Sequence, residues 1–136
     1  MAVEIKGLKK IEKELERRFG KENVQRISDN ALKRGADVFV DELKSQYHSV
    51  NWAGYETGAI IDEITVSEPY WSNDTRMVRV HWEGPKNRFA IVHLNEFGTV
   101  NNPNPPAKGT IAKAMRSAEK AYRTAIRKEV EKIARG

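Results

Sequence analysis

A chain of 136 residues, 39% hydrophobic and 32% charged, is sized for one domain with its own core and is too apolar to stay disordered. It has no cysteine, which excludes disulfides and thiolate chemistry and fits a reducing compartment. The net charge of +5 is unevenly placed: from Lys108 onward nine Lys/Arg stand against three Asp/Glu, while the part before it has fifteen against sixteen. The basicity belongs to one element, and an acidic partner surface is the natural expectation. No run approaches the roughly 18 apolar residues of a membrane span, so no membrane is expected as a partner, and Met1–Lys6 lacks the basic-then-apolar layout of a signal peptide.

In chain order, Ile5, Leu8, Ile11, Leu15 and Phe19 recur at steps of three and four and predict a first helix stopped by Gly20. A second helix is expected over Lys21–Ser49, with Val24, Ile27, Ala31, Leu32, Ala36, Phe39, Leu43 and Tyr47 on its apolar side. Gly35 inside it suggests a bend or a close helix crossing. Asn51–Gly58 has no period and reads as an exposed loop. Gly58–Ser67 reads as a strand with Ile60, Ile64 and Val66 on one parity, and Glu68–Asp74 as a turn or longer hairpin connection. Arg76–Glu83 alternates cleanly, with Val78, Val80 and Trp82 inward and Arg79, His81 and Glu83 outward. Gly84–Asn87 breaks the chain. Phe89–Phe97 is apolar almost throughout, and Ile91 and Val92 favour a strand there.

Behind it, the prolines of Val100–Gly109 exclude helix and predict an exposed arm. A last helix then runs from about Lys108 to Arg135. It carries an apolar stripe of Ile111, Met115, Ala118, Tyr122, Ala125, Ile126, Val130 and Ile133, opposed by Lys113, Arg116, Lys120, Arg123, Arg127 and Lys128. The order implies a single α+β domain spanning 1–136. A small antiparallel sheet of about three to four strands is covered by two N-terminal helices and a long C-terminal helix.

Catalytic motifs are missing: there is no Gly-x-Ser-x-Gly, no phosphate-cradling Gly-rich loop and no His-Glu-x-x-His. Asp41-Glu42 and Asp62-Glu63 are sequence neighbours and point apart, so they make poor acid/base pairs. His81 with Glu83 and His93 with Glu96 are thin metal-ligand candidates. The plainer expectation is a solvent-side His81 and a partly buried, hydrogen-bonded His93. No enzyme activity, metal or cofactor is expected. Trp52, Tyr55, Tyr70 and Trp71 fall in loops, where large aromatics either close over the core or meet a neighbouring subunit.

Several blocks occur in a familiar order. A helical pair opens the chain, followed by Thr57-Gly58-Ala59-Ile60-Ile61-Asp62-Glu63-Ile64, then Val78-Arg79-Val80 leading to Gly84-Pro85. Next come Glu96-Phe97-Gly98-Thr99, a Pro-rich segment, and a closing helix with Ile111-Ala112-Lys113-Ala114-Met115. Over about Leu8 to Ile133 this resembles the tail-completion, or head-to-tail joining, proteins of long-tailed double-stranded DNA phages, also described as minor tail or neck proteins. The sharpest part is Glu-Phe-Gly-Thr followed by prolines and the final helix. Where such proteins commonly carry an aromatic Pro-Phe-type sequence before that helix, this chain has Pro105-Pro106-Ala107-Lys108-Gly109-Thr110.

The resemblance implies a non-enzymatic virion component, made in the host cytoplasm, that caps the head-proximal end of the tail. It would join the head connector to the tail tube as a homo-oligomeric ring, meeting DNA only as it passes through. The interaction residues expected on this reading are Glu96, Phe97, Gly98 and Thr99, with Pro103, Pro105 and Pro106 of the arm. Arg116, Lys120, Arg123 and Arg127 of the last helix join them, with Tyr70 and Trp71. The arm, having little to bury, is expected to be mobile in a free monomer and ordered on assembly. The alternative expectation is a small DNA-binding accessory protein that uses the basic helix.

Overall fold

In the computed structural model, residues 2–7, 9–52 and 58–135 are described. The order is β1 (Ala2–Lys6), α1 (Lys9–Phe19), α2 (Lys21–Ser49), α3 (Ala59–Asp62), β2 (Ile64–Val66), β3 (Tyr70–Ser72), β4 (Thr75–Trp82), a 3-10 turn (Arg88–Ala90), α4 (Val92–Phe97) and α5 (Thr110–Arg135). The domain is α+β. Its antiparallel sheet runs β1-β4-β2, with β3 pairing β4 along the same edge as β2.

The eight residues of β4 are the axis. Val78, Val80 and Trp82 are buried as their alternation predicts, while Arg79 faces solvent. Val3 and Ile5 of β1 register with Val80 and Val78 and extend the same apolar face. α2 lies against β4 and β1, and α5 against α2 and β1, so both long helices cover that face. α2 has the predicted bounds, and its predicted apolar positions are buried. Gly35 marks a close crossing: a Cβ there would stand 3.3 Å from the Ala118 carbonyl oxygen and 3.6 Å from the Tyr122 Cβ. Trp52 folds back on the end of α2, its indole N–H donating to the Tyr47 carbonyl at 3.0 Å, as a core lid does. Tyr55, with most of the loop before Gly58, lies outside the described residues, as do Leu8 and the side chains of Ile11 and Ile133.

Three predicted elements differ. Ala2–Lys6 is a strand rather than the start of a helix. Ile5 and Leu8 fit a helical step, but Val3-Glu4-Ile5-Lys6 also alternates, and the distant β4 decides between the two. Within Gly58–Ser67 only Ile64–Val66 is strand. Ala59–Asp62 is a helical turn opened by Gly58 at φ 91°, and it buries Ile60, whose carbonyl accepts the Trp82 indole N–H at 2.8 Å. Ile60 and Ile64 are as compatible with a helical step of four as with a strand. Phe89–Phe97 is a 3-10 turn followed by α4. Of the Ile91-Val92 pair that suggested strand, only Val92 is fully buried, and Glu96 one turn later shares its inward side.

The Glu68–Asp74 connection is shorter than predicted. Tyr70–Ser72 is β3, and only Asn73 and Asp74, at φ 48° and 61°, make the hairpin turn.

Candidate docking surface

The arm and the last helix are fastened together by one carboxylate. Glu96 ends the inward side of α4 at 4% exposure. Its Oε1 accepts the Ile111 N–H at 2.7 Å, its Oε2 the Ala112 N–H at 3.1 Å, and its backbone carbonyl the Gly109 N–H at 3.0 Å. The first amides of a helix have no partner within it, and the helix dipole favours negative charge there. A glutamate fifteen residues upstream supplies both. The chain can turn back at Gly98 because φ is 80° and the Pro103 carbonyl crowds the space a side chain would fill, 2.5 Å from an added Cβ.

Between Gly98 and Thr110 the arm is held at several points. The Thr99 N–H donates to the Asn102 carbonyl at 2.9 Å, and the Thr99 hydroxyl accepts the Asn102 N–H at 3.0 Å. The Lys108 ammonium donates to the Pro103 carbonyl at 2.8 Å. Pro105 and Ala107 are buried, so the expectation of a wholly exposed arm with little to bury is corrected. Pro103 and Pro106 are exposed as expected. Phe97, 64% exposed, and Val100, 99% exposed, project outward among the exposed Thr99, Asn101, Asn102 and Asn104. Phe97 lies beside Ala2, Val3, Ile111 and Met115, at the end of β1 that registers with the last residues of β4.

Beyond this pinned start, α5 buries Ile111, Ala114, Ala118, Tyr122 and Ile126 and turns Arg116, Lys120, Arg123 and Arg127 outward. These four cations form no ion pair among the described residues. An open cleft of about 520 Å³ between α2 and α5 is lined by Arg34 of α2 and by Lys120 and Lys128 of α5, with Glu129 as the one acidic group among the described lining residues.

Tyr70 and Trp71 do not join this surface. Trp71 registers with Arg76 near the start of β4, the end away from Phe97. It is 55% exposed and lies beneath the Arg76 guanidinium, 5.2 Å from the ring centroid. Arg76 is in turn gripped by both oxygens of Asp29 at 2.7 and 3.0 Å. The predicted interaction residues therefore divide between two ends of the sheet.

The histidines are placed differently from each other. His81 sits on the outer side of β4, 3.3 Å from a Glu83 carboxylate oxygen. His93 is on the exposed side of α4 rather than partly buried, and Glu96, engaged with α5, is not its partner. Among the described residues no group of three or more His, Asp or Glu is arranged to hold a metal ion, and no helix is long and apolar enough to cross a membrane.

Two further buried carboxylates carry structural roles that the sequence did not signal. Glu63 accepts the Lys86 N–H at 2.8 Å and the Arg88 N–H at 2.9 Å, and so fixes the loop before α4. Glu12 of α1 accepts the Ser28 hydroxyl at 3.2 Å. Burial pushes its carboxyl above the ordinary range, against the pull of the Ser28 hydrogen bond and the Arg76 charge. The partners of all three glutamates lie more than a dozen residues away in the chain, beyond any local pattern.

No family model matches this chain, and no curated protein or solved structure matches it either.

Proposed function

We propose that this chain is a non-enzymatic structural protein of a phage neck, completing the tail and joining it to the head connector as a ring of identical subunits. The observation that carries this reading is the unit built around Glu96. The Glu96–Thr99 tetrapeptide, the sharpest part of the resemblance, is tied to the first amides of α5, so the apolar projections Phe97 and Val100 stand on a fixed base at the start of a helix whose outward cations form no ion pair among the described residues. A pre-ordered apolar tip loses less entropy on docking than a floppy one, and a row of outward cations suits an acidic rim. Its partners are the connector and the tail tube, and its place is the virion.

The test is complementation of phage lacking this gene. The double variant Arg123→Glu/Arg127→Glu is expected to fold normally but to leave filled heads and finished tails unjoined. Wild-type yields of infectious particles would remove the basic face from the joint. Wild-type yields from a Phe97→Ser/Val100→Ser variant as well would overturn the docking reading.

The cleft flanked by Arg34, Lys120 and Lys128 also supports a second reading, a DNA-binding accessory protein. Submicromolar binding of a duplex at physiological salt, falling steeply as salt is added, would favour it over the joining role.

A further inference from the structure

We infer that the free edge of β1 is a self-pairing surface, on which two copies of this chain join antiparallel with Glu4 of each opposite Lys6 of the other. The two edges of the sheet are built differently. The β2–β3 edge consists of two three-residue strands separated by Ser67-Glu68-Pro69, and a short, interrupted edge carrying proline is a poor template for another strand. The β1 edge runs five residues without proline. Two hollows of about 290 and 600 Å³ border it, bringing Met115 of α5 alongside, so the space beside this edge is open.

The hydrogen-bonding parity fixes which groups point outward. The Gly7 N–H donates to the Arg76 carbonyl at 2.7 Å, one step beyond the registered pair Lys6↔Met77. In an antiparallel ladder alternate residues bond to a given neighbour. Odd-numbered residues of β1 therefore bond to β4, and the N–H and C=O groups of Ala2, Glu4 and Lys6 face the free edge. A second β1 must match these even positions and keep Val3 and Ile5 on the apolar face. Antiparallel registers that meet both conditions place Glu4 opposite Ala2, Glu4 opposite Glu4, Glu4 opposite Lys6, or Lys6 opposite Lys6. Only the Glu4–Lys6 register puts opposite charges directly across from each other. It does so twice about a two-fold axis at Ile5, and Glu4 and Lys6 then exchange backbone hydrogen bonds across the axis. The like-charge alternatives are penalised and the Ala2–Glu4 register gains no charge pair, so the two charges favour one register.

α5 agrees with the same axis. Ile5, the Ala118 carbonyl and the Tyr122 Cβ all approach Gly35, so an axis at Ile5 passes α5 near those residues. Glu119 and Arg123 lie beside β1 there, a second pair of opposite charges for an antiparallel neighbour to match. In the single chain, Glu4 and Lys6 meet only loosely, at 3.8 Å, with both side chains well exposed, so both are available to a second copy. The pairing uses none of Arg116, Lys120 and Arg127, and does not rest on the joining role.

The test is analytical ultracentrifugation of the full chain between about 1 and 200 μM, with circular dichroism on each variant to confirm the fold. Wild type is expected to show a reversible monomer–dimer equilibrium. Lys6 lies opposite Met77 within the sheet, so Lys6→Glu leaves the chain's own pairing intact and should weaken dimerisation by roughly tenfold or more. Glu4→Lys/Lys6→Glu should recover most of that loss. Amide exchange at Glu4 and Lys6 should slow as the wild-type concentration rises. A wild type that stays monomeric to 200 μM, a dimer indifferent to Lys6→Glu, or a double variant no better than the single one would each overturn the inference.

Discussion

Replacing Glu96 tests the unit on which the proposed joint depends. Glu96→Ala removes both acceptors at the start of α5. Ile111 is buried, so its N–H finds no water, and loss of a charge-assisted bond to a buried donor costs about 1.5–3 kcal/mol. Ala112 is exposed and its amide rehydrates, so that bond adds only about 0.5–1 kcal/mol. The expected total is about 3 kcal/mol. For a domain of this size that lowers Tm by roughly 10 °C. Glu96→Gln keeps one acceptor but loses the charge facing the helix dipole and should cost about 1–2 kcal/mol. Urea unfolding of the three proteins gives the order directly, and the Ile111 amide should lose exchange protection in the alanine variant. A Glu96→Ala protein within about 0.5 kcal/mol of wild type, or a glutamine variant as damaged as the alanine one, would refute the capping role.

Gly35→Leu should destabilise by about 1–3 kcal/mol or more in urea unfolding, because α2 and α5 would have to separate at Ala118 and Tyr122. Gly35→Ala should be close to neutral, since about 1 kcal/mol of helix propensity offsets a contact tight by a few tenths of an ångström. Glu12→Gln should stabilise the protein at pH 7, as measured by thermal or urea unfolding across pH. The folded carboxyl binds its proton more tightly than the unfolded one, so ionisation opposes folding. The advantage of glutamine should be complete above the raised folded value and should vanish as pH falls below the ordinary value of 4.5.

How much of this was legible in the sequence follows the range of the interactions. α2, β4 and α5 each carry a long periodic pattern that decides the element by itself, and Gly35 in the middle of a helix pointed to the close crossing that is found. β1 and α3 are short, and their apolar residues satisfy two periods at once. Only register against β4, or the Trp82 indole on the Ile60 carbonyl, chooses between them. Phe89–Phe97 read as a buried apolar run, and Ile91 and Val92 tipped it towards strand, yet Phe89, Leu94 and Phe97 are exposed. A run of apolar residues is evidence of burial only where a core receives it. On the candidate docking surface, the α5 cations were legible as exposed chemistry, whereas the exposure of Phe97 and the anchoring of Pro105 and Ala107 were not. Tyr70 and Trp71 were grouped with the arm only because a sequence does not show which end of a sheet a turn occupies.

The distribution of carboxylates gives the basic face its character. Glu63 and Glu96 hold backbone amides in the interior, and Asp29 holds Arg76. None of these answers the charges of Arg116, Lys120, Arg123 or Arg127, which face solvent without ion-pair partners among the described residues. At about 0.1 M salt such charges act over roughly 10 Å, so they can guide a docking partner only if α5 holds them in a fixed place close to the contact. The Glu96 cap provides that constraint at the start of the helix, and the Gly35 crossing provides it in the middle. Weakening the cap should therefore loosen Lys113 and Arg116 first, while Arg123 and Arg127, beyond the crossing, keep their positions. On the proposed joining role, fastening and recognition are in this way separable along a single helix. A joining defect from Glu96→Ala that is rescued by low temperature would trace to the fastening, and one from Arg123→Glu/Arg127→Glu that is not would trace to the charge.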